Sequence, residues 1–349
     1  MLNIIERLDR KQFSASVCVM KRGGELDNEV AKMGVELLEA PFVVPVQPYH
    51  TLLYRSWKAA QVFRPYRFSL WHSFNYSDDY SEPIIARLAG ARSWFYTKKN
   101  MAWGTRAWTA RTWLARTVVA QNTSMREFFF SDCPDKVRVI PPGVSTKEFR
   151  PGSADIELRR SWGFPEQTVV LGHLANILPV KNQLHLIRAL SMTKENVGLV
   201  LAGAVLDSDY YVELNELITH LNLQHRVRLL GKVHGTAGFL RALDMFAFCS
   251  HHEACPVAVL EAMACGLPCV VTDIAAMQDI HKPNETALVV KSGDVTALSY
   301  AIDDLARSPE LRRALGLAAR LRVEQNFDVE QEAVNYQNLY HDFTARKAS

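Results

Sequence analysis

Short runs rich in β-branched and other apolar residues alternate along the chain with longer stretches of helical period, and this alternation limits the fold more than any other feature. SASVCVM precedes GELDNEVAKMG, FSLWHSF precedes SEPIIARLAG, TVVAQ precedes TSMREFFF, and VRVIPPG closes the series. Runs of the first kind read as strands and those of the second as helices. Strict alternation calls for a parallel sheet, because successive parallel strands need a crossover helix, which then covers a sheet face. Pro151 to Arg160 is polar and patternless, and a second series follows in TVVLGHLA, NVGLVLAG, RVRLLG, MFAFCS and PCVVTD.

The expected class is therefore α/β, with two Rossmann-like βα domains over residues 1–151 and 152–328 facing each other across a ligand cleft at their strand C-termini. The 349 residues leave room for both. Over 329–349 the apolar Val329, Ala333, Tyr336, Leu339 and Tyr340 fall close to a helical period, which predicts a closing helix.

Composition removes several function classes. Forty Lys and Arg against 37 Asp and Glu leave a formal charge of +3, without the dense basic footprint of a nucleic-acid binder. The apolar runs Val257–Leu260 and Leu267–Val271 stop well short of the roughly 20 residues of a membrane helix. MLNIIERLDRK does not read as a secretory signal, so a cytoplasmic placement is expected, peripheral at the inner face of a membrane at most.

The cysteines Cys18, Cys133, Cys249, Cys255, Cys265 and Cys269 form no repeated metal-ligand pair and read as buried free thiols. His251-His252 lacks the i,i+4 spacing of a helical zinc motif, and no Asp-x-Asp run stands at a strand end, so neither a metal nor another cofactor is expected. In MAWGTRAWTARTWLAR, Trp103, Trp108 and Trp113 alternate with Arg106, Arg111 and Arg116. This suggests a membrane-surface helix, but a five-residue spacing turns about 140° per step and spreads the tryptophans around the axis, which favours core tryptophans with solvated arginines.

The stretch MFAFCSHHEACPVAVLEAMACGLPCVVTD reads as strand, loop, helix, turn and strand. Pro256 suits the first helical position, and the amides from Ala254 to Ala258, including Cys255 and Val257, would form an anion site at the helix N-terminus, fit for a diphosphate. Glu261, about five residues into the helix, can accept hydrogen bonds from the hydroxyls of a ribose, and Glu253, before the helix, from those of a sugar. On helix physics alone, Glu253 as a cap and Glu261 as a solvated charge remain open. Lys181, in the loop after TVVLGHLA, is either a surface cation or a partner for a leaving diphosphate.

Glu253-x7-Glu261, within S-x-x-E-A-C-P-x-x-x-L-E-A-M-A-C-G-L-P, resembles the signature of family-four retaining glycosyltransferases of the GT-B fold. GHLANILPVKNQLHLIRAL is similar to that family's diphosphate loop, RVRLLGKV to its base-binding turn and VRVIPPGVSTKEFRP to its domain junction, so the likeness covers nearly the whole chain. It implies transfer of a sugar from a nucleoside-diphosphate sugar to a hydroxyl acceptor, free or lipid-linked, with retention and without a metal ion, in cell-surface polysaccharide or glycolipid synthesis.

By position the resemblance makes Glu253 the donor-sugar contact, Glu261 the ribose contact and Lys181 the diphosphate contact, with Glu253 and Lys181 as the catalytic pair. Leu230, Gly231 and Lys232 would hold the base. Asn176 stands where the family usually has an arginine, and Ala275, Ala276 and Asp279 where it commonly has two glycines and a glutamate. In the N-terminal half Lys98 or Lys99 occupies the place of a sugar-facing histidine, while His72, ending FSLWHSF, is either a further contact or a structural histidine. The family's first strand and glycine-rich loop have no counterpart before LNIIERLDRK. Asn176 and that difference support an alternative, a catalytically impaired nucleotide-sugar-binding protein of the same fold. A nicotinamide dehydrogenase is disfavoured, since no G-x-G-x-x-G follows a strand and opens a helix.

Overall fold

A computed structural model describes the chain except Glu25, Tyr76, residues 102–104, residues 345–349 and the side chain of Leu26. It divides into two compact units, one of residues 1–141 with 329–349 and one of residues 142–328.

The first unit runs α1 (Leu2–Glu6), β1 (Ser16–Val19), α2 (Leu26–Lys32), β2 (Glu36–Glu39), α3 (Leu52–Phe63), β3 (Leu70–Ser73), α4 (Ser81–Leu88), β4 (Ser93–Lys98), α5 (Arg106–Leu114), β5 (Val118–Ala120), α6 (Thr123–Phe130) and β6 (Val137–Val139). Its strands are all parallel but form two sheets, β1-β2 and β3-β4-β5-β6, with no ladder between them among the described residues. The six residues of β4 are all buried, and Phe95 meets Ile4, Val119 and Ile140 in one core.

Trp108 and Arg111 of α5 are buried, whereas Trp113 is exposed. Trp103 lies outside the described residues. The guanidinium of Arg111 rests over the rings of Trp94 and Tyr96 and pairs with the equally buried Glu82 at 2.8 Å. Helix α5 thus packs Trp108 and its central arginine, Arg111, into the core, a departure from the expected pattern of core tryptophans and solvated arginines. Glu82 can draw it inside because the carboxylate also accepts from Trp71 and Ser73, which satisfies the buried charge.

The second unit runs α7 (Ile156–Ser161), β7 (Val169–Leu174), α8 (Gln183–Met192), β8 (Val197–Ala202), α9 (Ser208–His220), β9 (Val227–Gly231), α10 (Thr236–Arg241), β10 (Met245–Phe248), α11 (Val257–Ala264), β11 (Cys269–Asp273), β12 (Leu288–Lys291), α12 (Val295–Arg307) and α13 (Pro309–Asn326). Its parallel sheet has the order β12-β11-β10-β7-β8-β9. Alternate residues of each central strand enter different cores: Val170, Val200 and Phe246 join Leu240, Val259 and Ala319 on one face, and Leu171, Leu199 and Met245 join Leu186, Leu214 and Ile302 on the other. Both faces are covered, which is why these strands read as unbroken apolar runs. Side-chain caps start the helices where Asp207, Asp294 and Ser308 accept from the amides of Tyr210, Ala297 and Leu311.

Residues 142–151 pack with the second unit: Val144 and Phe149 are in its core, and Arg320 donates to the carbonyls of Thr146 and Phe149. The closing helix, α14 (Val329–Thr344), belongs to the first unit, with Tyr336 and Leu339 against Ile4 and Phe95.

Candidate functional site

In the second unit the strand order turns back beside β7: β8 lies on one side and β10 on the other. At such a switch point the loops leaving the two strands diverge and open a crevice beyond their carboxyl ends. The loop after β7 carries Asn176 and Lys181, and the loop after β10 carries Glu253.

The ammonium of Lys181 pairs directly with Glu253, both largely buried. Ser250 donates to the same carboxylate oxygen at 3.1 Å, and Thr272 holds the Ser250 carbonyl at 3.0 Å. The loops are also tied through their backbones, since the amide of His251 donates to Val180 at 2.9 Å. The Cys249 thiol, pushed up to about 12 by burial, donates to the carbonyls of Lys181 and Asn182 at 3.3 and 3.4 Å. It is a neutral clamp on the lysine loop.

Two backbone features let these loops approach. Asn182 takes a left-handed conformation (φ 59°) where the loop turns into α8, a region in which asparagine is several-fold enriched. Gly203 closes β8 at φ 151°, and a Cβ there would stand 1.9 Å from the carbonyl oxygen of Ala175. Only glycine permits that contact without backbone movement.

Helix α11 begins at Val257 with Pro256 as its N-cap, one position earlier than expected for that proline. The amide of Val257 is not free for an anion, because it donates to the Cys255 carbonyl at 3.0 Å in a tight turn. Val257 is itself exposed, and Ala258 half-buried. Glu261 lies one turn along, and burial, assisted by the charge of Glu148, pushes its carboxyl up to about 7. Glu148, from the 142–151 segment, was not singled out in the sequence because it sits 113 residues away (261 − 148).

Gly231 ends β9 at φ 67° and accepts the Gly203 amide at 2.8 Å, so Leu230, Gly231 and Lys232 adjoin the end of β8. Asn176 is exposed, and its carbonyl accepts from Gln183 at 3.0 Å. Ala275 and Ala276 form a short 3-10 turn after β11, and the Asp279 carbonyl receives Arg322 at 2.7 Å.

The first-unit candidates are otherwise engaged. Both ring nitrogens of His72 are satisfied, by Tyr340 at 2.9 Å and Thr97 at 2.8 Å, the ring is stacked on Phe95, and burial holds it well below the usual histidine range. This geometry favours the structural histidine of the two readings. Lys98 is the last residue of β4 and not a loop residue. Its ammonium donates to Asn100 at 2.8 Å and lies over Trp108 and Phe129, and burial pulls it down to about 8. Lys99 lies over Phe74, its affinity for the proton lowered by burial and partly restored by Glu332.

Among the described residues, no cluster of three or more His, Cys, Asp or Glu side chains could hold a metal, and no helix is long and apolar enough to cross a membrane. The six cysteines are free thiols.

Residues 1–148 match the family described as Glycosyltransferase Family 4, and residues 155–322 the one described as Glycosyl transferases group 1. The chain is 28% identical to N-acetyl-alpha-D-glucosaminyl L-malate synthase of Bacillus anthracis over 53% of its own length and 49% of the relative's. It is 29% identical to D-inositol 3-phosphate glycosyltransferase of Stackebrandtia nassauensis over 62% and 51%. It thus spans about half the length of these curated relatives. Its fold is similar to that of a glycosyltransferase from Rickettsia africae, with a TM-score of 0.87 at 18% identity, covering 100% of this chain and 94% of that one. Anabaena HepE, solved with UDP and glucose, has a TM-score of 0.83 at 20% identity, covering 98% and 95%.

Proposed function

The chain belongs to the family-four glycosyltransferases of the GT-B fold, and from that premise we propose that it moves a sugar from a nucleoside-diphosphate sugar to a hydroxyl acceptor, with retention at the anomeric carbon and without a divalent metal. The observation that carries the proposal is the Lys181–Glu253 pair at the switch point, in the loops that lead to α8 and α11, with Glu261, pushed up to about 7 by burial, further along α11.

In the free protein Glu253 neutralises Lys181 and holds it in place. A diphosphate entering beside α11 takes over the lysine's charge-assisted bonds, while Glu253 turns to the sugar hydroxyls and Glu261 to the ribose. The acceptor oxygen then bonds to the anomeric carbon on the face from which the diphosphate leaves, and its proton passes to the departing phosphate oxygen. Glu253 and Glu261 position the donor in this scheme and are not an acid and nucleophile pair. A hydroxyl acceptor and a role in cell-surface polysaccharide or glycolipid assembly follow by analogy with the relatives.

UDP, bound in the Anabaena neighbour, is the first nucleotide to test. By calorimetry in EDTA, Lys181→Ala should weaken UDP binding by about 1.5–3 kcal/mol, the worth of a charge-assisted hydrogen bond. Unchanged affinity in a folded variant would remove the lysine from the donor site. Donor binding without sugar transfer or donor hydrolysis would favour the impaired, binding-only protein, and turnover restored only by Mn²⁺ would overturn metal independence.

A further inference from the structure

Two sets of bonds hold Lys181, and they differ in whether a donor can displace them. The side chain is held by Glu253, the partner that an entering diphosphate would replace. The backbone is held from the end of β10. There the Cys249 thiol lies 3.3 and 3.4 Å from the carbonyls of Lys181 and Asn182, and the His251 amide donates to the Val180 carbonyl at 2.9 Å. Three consecutive residues of the lysine loop, 180–182, are thus tied to the strand end, and the Glu253 side chain takes part in none of these three bonds.

The loop itself is tightly wound. Pro179–Lys181 form a 3-10 turn in which the amides of Lys181 and Asn182 donate to Leu178 and Pro179 at 2.9 and 3.0 Å, and the chain leaves it through the left-handed Asn182. The Lys181 carbonyl shares a rigid peptide plane with the Lys181 Cα, so a bond to that carbonyl also fixes the direction in which the side chain departs.

Cys249 suits this task. It is fully buried, in the core that contains Leu186 and Ile187 of α8 and Ala247 of β10. Burial keeps the thiol protonated, so it donates without placing a charge beside the lysine. Packing alone would ask only for a small apolar side chain here. The sulfur lies instead within bonding distance of two carbonyls, one of them that of the lysine itself.

We propose that Cys249 is a positioning residue for the donor diphosphate: it fixes the Lys181 backbone, so that the ammonium keeps its place after Glu253 has given way to a phosphate. The proposal rests on the reading of Lys181 as the diphosphate contact.

The test is calorimetry in EDTA with UDP, GDP or ADP, whichever the parent protein binds, and with the matching nucleoside. Cys249→Ala should weaken diphosphate binding about three- to tenfold, the worth of a modest hydrogen bond, and leave nucleoside affinity unchanged. Cys249→Ser, close to alanine in volume but with a donor, should stay within about twofold of the parent. A cysteine that only packs predicts the reverse order, because a hydroxyl is the costlier replacement in an apolar core. In a Lys181→Ala background Cys249→Ala should bring no further loss, since the thiol acts through the lysine. Circular dichroism melting shows whether each variant keeps its fold, and Cys249→Val, which fills the thiol's volume without a donor, takes over should the alanine variant not fold. Equal diphosphate affinity in the folded serine and donorless variants, equal losses for nucleoside and diphosphate, or an undiminished loss in the Lys181→Ala background would overturn this proposal alone. No binding of any of the three diphosphates, or unchanged affinity in Lys181→Ala, would overturn the donor-site reading and this proposal with it.

Discussion

At the scale of single residues, Glu261 has the clearest consequence. Its folded carboxyl holds a proton up to about 7, where an unfolded glutamate releases it near 4.3. Between those values the unfolded chain binds fewer protons than the folded one, so this group's contribution to stability falls as pH climbs from about 4.5 to about 7 and is constant above. Ribose hydroxyls would favour the charged carboxylate, so binding should release a proton below pH 7. Uridine, which does not itself titrate in this range, should bind more tightly as pH rises from 5.5 to about 7 and level off beyond, and Glu261→Gln should flatten the profile in calorimetry. A slope that survives in the glutamine variant belongs to another group. A second residue, Gly203, controls access by geometry alone. Gly203→Ala drives a methyl into the Ala175 carbonyl and should cost about 1–3 kcal/mol in urea melts, with a parallel loss of nucleotide affinity through the displaced loop.

At the scale of elements, β3, α4 and α5 are joined by the buried Arg111–Glu82 pair, with Ser73 and Trp71 as further donors to the glutamate. Removing one partner strands a buried charge, so Glu82→Ala should destabilise the first unit by about 3–5 kcal/mol in chemical denaturation. A loss below about 1 kcal/mol would mean that water reaches the arginine. The elements also show what the sequence could carry. Strands with two covered faces, such as VVLGHL and VGLVLA, announce themselves as apolar runs, whereas the two end residues of β2 (ELLE) are charged and β4 (SWFYTK) ends in a lysine that reads as loop. Lys98 is buried because aromatic rings surround it, a tertiary circumstance invisible to local pattern. The motif singles out Glu253, Glu261 and Lys181 as candidates, but the direct contact of Lys181 with Glu253 spans 72 residues and no local spacing encodes it. Likewise Arg111 looked solvated because its partner, Glu82, is 29 residues distant.

At the scale of the whole molecule, the chain leaves its first unit at residue 141 and returns to it at 329. The returning helix α14 contributes Tyr336 and Leu339 to the first core, and Tyr340 and Tyr336 bond His72 and Thr97. Truncation after residue 328 should therefore sensitise the first unit to proteolysis while the UDP binding proposed for residues 142–328 survives. Equal resistance of the truncated and full chains would show that the helix only covers the surface.

The divided sheet of the first unit bears on cooperativity. Among the described residues β1 and β2 share a ladder only with each other, while Cys18 of β1 touches the cluster of Phe63 and Trp71 and Ile4 of the preceding α1 the cluster of Phe95. Main-chain hydrogen bonds transmit order along a sheet without interruption, whereas the α1–β2 segment is held to the rest of the unit by burial and by links to α14, the exposed Arg7–Glu330 pair at 3.1 Å and the Asp9 amide donating to Gln337 at 2.9 Å. The segment from α1 to β2 is thus a separate foldon, able to open while the four-stranded sheet stays intact. Its amides should exchange with deuterium by sub-global opening, well before those of β4 and β5.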